Sequence, residues 1–278
     1  MMRAEERLKP DDIVALQARA RRIRRLIVEA IAASGSGHIG GSLSCVEIMV
    51  SLFFRALQRR NDGKGWPFAN RFVLSKGHAD AAYYSSLCEA GLISFEELMT
   101  MRQAGSRLQG HPDPIWLPDL AEFAGGTLGQ GLSFALGLAL GLDVGTKVFT
   151  MLGDGELQEG QVWEAALAAP RQGASNLVAI VDWNDFQLSG PTPPEPDIRA
   201  TARAWRELGW ESHVCDGHQI DALIQALEVR SDRPCVIFAK TVKGNGISFM
   251  QNNNDFHGRS LTRAEVSAAL EEINEVAS

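Results

Sequence analysis

Two hydrophobic periods alternate along this chain. Between Pro10 and Ala33, Ile13, Leu16, Ala20, Ile23, Ile27 and Ile31 recur three or four positions apart, the spacing of one buried helix face. Pro10-Asp11-Asp12 opens that helix with the rigid residue and the acidic charges that suit a helix start. Short apolar runs with β-branched and aromatic members then punctuate the chain: Arg71 to Ser75, Val148 to Leu152, Asn176 to Val181, Trp210 to Cys215 and Pro234 to Ala239. Each reads as a strand, Val148 to Leu152 and Asn176 to Val181 as buried ones. Helical patterns separate them: Cys45 to Leu57 capped by Ser44, a helix from Lys76-Gly-His78 through Leu87, one opened by the capping box Ser94-Phe-Glu-Glu97, a small-residue helix ending near Leu142, then Ile198 to Leu208, Ile220 to Glu228 and Thr262 to Val276. Five strands alternating with helices predict an α/β fold, one parallel sheet with helices on both faces, in a single domain spanning 1–278.

Composition narrows the function classes. The 278 residues are 45% hydrophobic and 22% charged, with 34 acidic residues against 27 basic and a formal net charge of -7. That balance argues against nucleic acid as the main partner. The basic run Arg19 to Arg25 lies on an amphipathic helix and reads as a solvated or intersubunit face. Cys45, Cys88, Cys215 and Cys235 have neither metal-ligand nor redox spacing, which fits a reducing cytoplasm. The charged N-terminus has no signal-like apolar region, and the apolar run Gly131 to Leu142 is too short to cross a bilayer, so no membrane is expected.

The chemistry gathers where strands end. Gly153-Asp154-Gly155 follows the second strand, and the glycines permit a tight turn and close approach of a ligand. Asp154 is a natural ligand for Mg²⁺, or else a plain turn residue. Asp182-Trp-Asn184-Asp-Phe186 ends the third strand, thirty positions later. One crossover helix fits between, so Asp154 and Asn184 would meet as oxygen donors at the edge of adjacent parallel strands. His78 has the same kind of place after the first strand. His38 sits in the glycine-rich loop Ser34 to Ser42, and His111 in Gln109-Gly-His-Pro, within the long irregular stretch Gly105 to Thr127. Gly125-Gly-Thr-Leu-Gly-Gln-Gly131 could offer amides to a phosphate or simply allow close packing. Pro191 to Pro196 reads as a stiff spacer.

Taken together these segments resemble the N-terminal half of transketolase. The resemblance rests on Gly37-His38-Ile-Gly-Gly, Leu74-Ser-Lys-Gly-His78-Ala, Gly110-His111-Pro, Leu128-Gly-Gln-Gly131, Gly153 to Gly160, Lys240-Thr-Val-Lys-Gly and His257-Gly258, and covers about Leu16 to Gly258. It implies a thiamine diphosphate-binding, Rossmann-like fold with thiamine diphosphate and Mg²⁺ as cofactors. It implies Asp154, Asn184 and the carbonyl of Phe186 as metal ligands. His78, Leu128, Gly129, Gly153, Gly155 and His257 are implied as cofactor contacts, and Glu159 as a carboxylate meeting a counterpart across a subunit interface. His38, His78, His111 and His257 would line the channel for the sugar, where neutral imidazoles exchange protons with hydroxyls.

The same resemblance implies a division of labour. The chain would be the N-terminal subunit of a split transketolase that moves a two-carbon ketol unit from a ketose phosphate to an aldose. It would need a separate C-terminal subunit, in an α2β2 assembly, to supply the glutamate that pairs with the aminopyrimidine ring. The competing readings are the α subunit of a 2-oxo acid dehydrogenase, a deoxyxylulose-phosphate synthase and a non-catalytic regulatory paralogue.

Overall fold

The computed structural model describes residues 9–60 and 65–275. Its helices are α1 (Pro10–Ser34), α2 (Ile39–Ser44), α3 (Val46–Ser51), α4 (Asp80–Glu89), α5 (Phe95–Leu98), α6 (Gln130–Gly141), α7 (Gly160–Arg171), α8 (Ile198–Glu207), α9 (Ile220–Leu227) and α10 (Arg263–Glu275). Its strands are β1 (Arg71–Leu74), β2 (Val148–Gly153), β3 (Leu177–Trp183), β4 (Phe186–Gln187), β5 (Gly190–Pro191), β6 (Glu211–Asp216) and β7 (Cys235–Lys240). Among the described residues the five long strands form one parallel sheet in the order β1-β2-β3-β7-β6, and β4 pairs antiparallel with β5. The α/β expectation and all five strands hold. The end of the C-terminal helix, expected at Val276, lies outside the described residues.

Four of the five long strands bury almost all of both faces, as their apolar runs require, whereas the edge strand β6 is partly exposed. Phe149, Met151, Val178, Ile180 and Ile237 point to a core shared with α1, α3, α4 and α9. The intervening Val148, Leu152, Ala179, Val181 and Phe238 point to a second core against α6, α7 and α8. On α1, Ile23, Ile27 and Ile31 are fully buried, each contributing about 1.5–3 kcal/mol of transfer free energy. Gly35 ends α1 with a left-handed φ of 67°, and its N–H donates to the Ile31 carbonyl at 3.0 Å. Asp197 caps α8, accepting from the Ala200 N–H at 2.6 Å, a contact worth about 1 kcal/mol.

The order of the strands fixes where a ligand goes. After β3 the chain passes over to β6 and returns to place β7 beside β3. The carboxyl ends of β2, β3 and β7 therefore open onto the point where the winding reverses, the customary ligand crevice of such sheets.

Local expectations shift in four places. The Ser34–Ser42 loop is shorter than expected, because helix resumes at Ile39 directly after His38. Ser44 does not cap the next helix; it ends α2 and donates to Asp182 Oδ2 at 2.6 Å, and the helical path ends in a π turn at Leu52–Ala56. The turn after β2 is not made by left-handed glycines. Neither Gly153 nor Gly155 has positive φ, and a one-turn 3-10 helix at Gly155–Gln158 precedes α7. The Pro191–Pro196 spacer also does more than connect: Thr192, Pro193, Glu195 and Pro196 wall a cavity of about 240 Å³ with Trp163, Trp183 and one side of Asp154.

Candidate active site

A cleft of about 550 Å³ opens at the carboxyl edge of the sheet. His38, His78, His111, Leu128, Gly153, Asp154, Gly155, Glu159, Asn184, Phe186 and His257 all line it. Of the residues expected at the site, only Gly129 is withdrawn from it. Its N–H donates at 2.8 Å to the buried carboxylate of Glu156, which also accepts from Ser75 Oγ at 2.5 Å and from the Gly153 N–H at 3.2 Å. Glu156 thus ties β1, β2 and the start of α6 together. The glycines of these segments serve that closeness: a Cβ on Gly77 would lie 1.9 Å from the Gly125 carbonyl, and one on Gly131 would lie 2.2 Å from Ser75 Oγ. The Gly129 amide is therefore taken by Glu156, and Gly131 serves close packing.

Asp154 and Asn184 follow paired strands, with Gly153 opposite Asp182 in the parallel register. Asp154 accepts from the Gly155 N–H at 2.9 Å and the Asp185 N–H at 2.6 Å; Asn184 Oδ1 accepts from the Phe186 N–H at 3.0 Å. Burial and the neighbouring Asp182 push the Asp154 carboxyl up to about 7. A buried carboxylate so raised is short of positive charge. Asp154 and the Asn184 amide offer the hard oxygen donors that suit Mg²⁺, with side-chain nitrogen and sulfur ligands absent from the pair. Gly155 leaves the approach narrow, since a Cβ there would meet Gln187 Cβ at 2.9 Å. Among the described residues no group of three or more His, Cys, Asp or Glu is arranged to hold a metal. Any hard-cation site here has to draw on amide and carbonyl oxygens.

Three imidazoles face each other across the cleft. Ring centroids of His38 and His78 are 5.5 Å apart, His38 and His257 5.8 Å, and His78 and His257 5.7 Å. Burial, with Arg102 next in weight, lowers His38 to about 4. Burial and then Lys243 do the same for His257. His78 is pushed well below its ordinary value by burial, then by Lys76 and the other rings, and His111 is lowered by burial and Arg102. All four rings are neutral at pH 7. Arg102 Nη2 faces His38 Nδ1 at 3.2 Å, and Lys243 Nζ faces His257 Nδ1 at 2.8 Å. The cations donate, so both rings carry their proton on Nε2.

The charged groups that hold this arrangement are ones that sequence pattern does not single out. Lys76 is 1% exposed and Asp182 is 0% exposed; they pair at 2.5 Å. Lys76 also donates to the Gly41 carbonyl at 2.9 Å, and Asp182 accepts from Ser44 and Thr241. Burial opposes both charges, but the pairing outweighs it, raising the lysine and lowering the aspartate. Lys243 donates to Asn254 Oδ1 at 2.6 Å besides facing His257. Burial, followed by repulsion from Lys76, lowers Lys243 to about 8. Arg102 is anchored on Asp80 at 2.9 Å. The available signal was the position of the lysines inside glycine-bearing motifs: Lys76 precedes Gly77-His78, and Lys243 lies in Lys240-Thr-Val-Lys-Gly.

Comparison with known proteins places this geometry. Residues 16–274 match the family model described as transketolase, thiamine diphosphate binding domain. The chain is 35% identical over 266 residues to the 6-deoxy-6-sulfo-D-fructose transketolase subunit of a Clostridium species, covering 94% of this chain and 96% of the relative. It is 40% identical over 271 residues to one of the subunits of an apulose-4-phosphate transketolase from Actinobacillus succinogenes, with the same two coverages. The crystal structure of Campylobacter jejuni transketolase superimposes with a TM-score of 0.84 at 30% identity, over 94% of this chain but only 43% of the larger one. The chain belongs to the transketolase family and carries its thiamine diphosphate-binding domain.

Proposed function

We propose that the cleft holds the diphosphate end of thiamine diphosphate with Mg²⁺, and that the chain works as the N-terminal subunit of a two-chain transketolase acting on an anionic ketose. One observation carries this reading: Asp154 and Asn184 end adjacent strands and open onto the same cleft as Lys243 and four neutral histidines. Asp154, Asn184 and the Phe186 carbonyl would hold the metal. Lys243 would face the diphosphate, whose charge would restore the lysine's lowered proton affinity. Leu128 would pack on the cofactor, with Gly153 and Gly155 permitting the approach. Bound there, the cofactor supplies the carbanion equivalent for ketol transfer. The chain's own part is binding and proton placement. His38 and His257 donate Nε2–H bonds to substrate oxygens, and His78 and His111 complete a ring of neutral donors and acceptors suited to hydroxyls.

The partner follows from the same surfaces. Glu159 is exposed at the start of α7. Phe134 on α6 and Leu167 on α7 are each 41% exposed. These support docking of a C-terminal subunit on the α6–α7 side in an α2β2 assembly. Relatives named for a sulfonated and a phosphorylated sugar support an anionic ketose as substrate class.

Titration of the chain with thiamine diphosphate, with and without Mg²⁺, tests the site. Trp163 and Trp183 wall the cavity behind Asp154, and their fluorescence reports on it. Saturable binding that needs Mg²⁺ is expected, and it is lost in Asp154→Ala and Asn184→Ala. Binding unchanged in both variants removes the metal assignment.

A further inference from the structure

A buried polar group outside the cleft sets the position of one of its cations. Glu47, on α3, is 6% exposed and sits between Arg24 of α1 and His218 in the turn before α9. Burial alone would raise the Glu47 carboxyl, but Arg24 and His218 together hold it below the usual carboxylate range. His218 Nδ1 lies 3.0 Å from Glu47 Oε2, while the Asn245 Nδ2 amine, 3.0 Å from the same nitrogen, is a donor and makes no bond to a protonated Nδ1. The other ring nitrogen, Nε2, accepts the Val242 backbone N–H at 2.8 Å. A backbone N–H only donates, so Nε2 is bare and the proton is on Nδ1, pointing at the carboxylate. Glu47 thereby fixes the tautomer that Val242 requires.

Val242 is the residue before Lys243. The neighbouring anchors of this segment hold main chain at either side: the Thr241 N–H donates to the Trp183 carbonyl at 2.9 Å, the Gly244 N–H to the Gly40 carbonyl at 3.0 Å, and Arg24 Nε to the Asn245 carbonyl at 3.2 Å. The peptide unit that enters Val242, one before Lys243, hangs on a side chain, and that side chain is His218; the units on either side of Lys243 are held by backbone bonds, from the Asn245 N–H to the Val242 carbonyl at 3.1 Å and from the Asn252 N–H to the Lys243 carbonyl at 2.9 Å. Arg24 serves the same end twice, through Glu47 and through Asn245. Gly246 makes room for it, since a Cβ there would come within 2.6 Å of Arg24 Nε.

We propose that His218, oriented by Glu47, is a positioning residue that sets Lys243, and through Lys243 the ring of His257, in the cofactor cleft. The inference rests on the reading of the cleft as the diphosphate site.

Two measurements on the full chain test it. In the wild type, ¹⁵N shifts of the His218 ring at neutral pH should show a protonated Nδ1 and a bare Nε2; the opposite tautomer overturns the proposal. The second compares His218→Phe, which keeps a ring but removes both bonds, with His218→Gln, whose side-chain oxygen can accept the Val242 N–H. Thiamine diphosphate affinity in the presence of Mg²⁺ should weaken about five- to tenfold in the phenylalanine variant, the worth of about one hydrogen bond. It should recover to within about twofold in the glutamine variant. If the phenylalanine variant unfolds at lower temperature yet binds like wild type well below its transition, His218 is merely structural and the proposal fails. If the wild type binds no thiamine diphosphate, the reading of the cleft fails, while the tautomer still decides whether Glu47 and His218 hold Val242 as described.

Discussion

Replacing Lys76 by methionine tests how the cleft floor is held. The change keeps the length of the side chain and removes the charge. Asp182 would remain fully buried, with the hydroxyls of Ser44 and Thr241 and, at 3.4 Å, the Asn184 amide as donors, but without a cation. Breaking a buried pair from one side costs about 3–5 kcal/mol, because the remaining charge is left uncompensated. For a chain of this size that is a fall in Tm of about 10 °C. The pH dependence carries the sign. In the wild type Asp182 is held below its ordinary value, so its stabilising share is present above the unfolded pKa and is lost as pH falls through the folded one. Without Lys76 burial raises the carboxyl instead, and the deficit grows as pH rises above about 4. Thermal unfolding at pH 5 and pH 8 should show the larger loss at pH 8, and Lys76→Met with Asp182→Asn should recover more than half of it. A single variant within about 1 kcal/mol of wild type at both pH values, or a double variant no better than the single, would refute the reasoning.

Gly77→Ala should destabilise the chain by about 3 kcal/mol or more, because its Cβ falls 1.9 Å from the Gly125 carbonyl. Gly137→Ala, on α6 with nothing within 4 Å of its Cβ, should be neutral or gain about 0.5–1 kcal/mol; denaturant midpoints separate the two. His38 and His257, near 4 in the fold against an ordinary 6.5, refuse protons that the unfolded chain accepts, so stability should fall as pH drops from about 6.5 to about 4. A His38→Gln/His257→Gln variant should show a flatter Tm profile across that window; an unchanged slope would contradict the neutral assignment.

Much of the fold is readable from residue order. Four of the five strands are apolar runs bounded by glycine, proline or polar residues, and burial on both faces is what such runs demand; β6, at the sheet edge, is mixed and partly exposed. That Asp154 and Asn184 follow adjacent strands is readable because one crossover helix fits the interval between them. The boundaries that move do so where tertiary contacts override local preference. Ser44 looks like a cap, but Asp182 offers its hydroxyl a buried charged acceptor. Gly129 looks like a phosphate cradle, but Glu156, one residue beyond Gly155, takes its amide. Lys76 and Lys243 escape notice because a lysine in a motif reads as a surface charge, and Arg102 because it lies outside every motif. Their partners Asp182, Asn254, Asp80 and His38 lie at sequence separations of 106, 11, 22 and 64, which no local pattern reveals.

The carboxylates around the cleft argue for a second chain. Glu156 is saturated by Ser75 and two backbone amides, Asp154 accepts two amides, and Asp182 beneath them is bound to Lys76, Ser44 and Thr241. Of the carboxylates that line the cleft, Glu159 faces outward, on the exposed start of α7. The cleft is also lined by Lys76, Lys243 and four imidazoles, of which His38 and His257 carry an Nε2–H donor, a set suited to an anion and polar hydroxyls. On the proposed reading, the acidic group that exchanges a proton with the far end of the cofactor would come from the C-terminal subunit. The expected result is that the purified chain binds thiamine diphosphate and Mg²⁺ yet turns over a ketose phosphate donor only when the C-terminal subunit is added. Glu159→Gln should weaken that reconstitution while leaving cofactor binding by the single chain intact. Full turnover by the chain alone would show that the cleft already contains the proton acceptor and would overturn the division of labour.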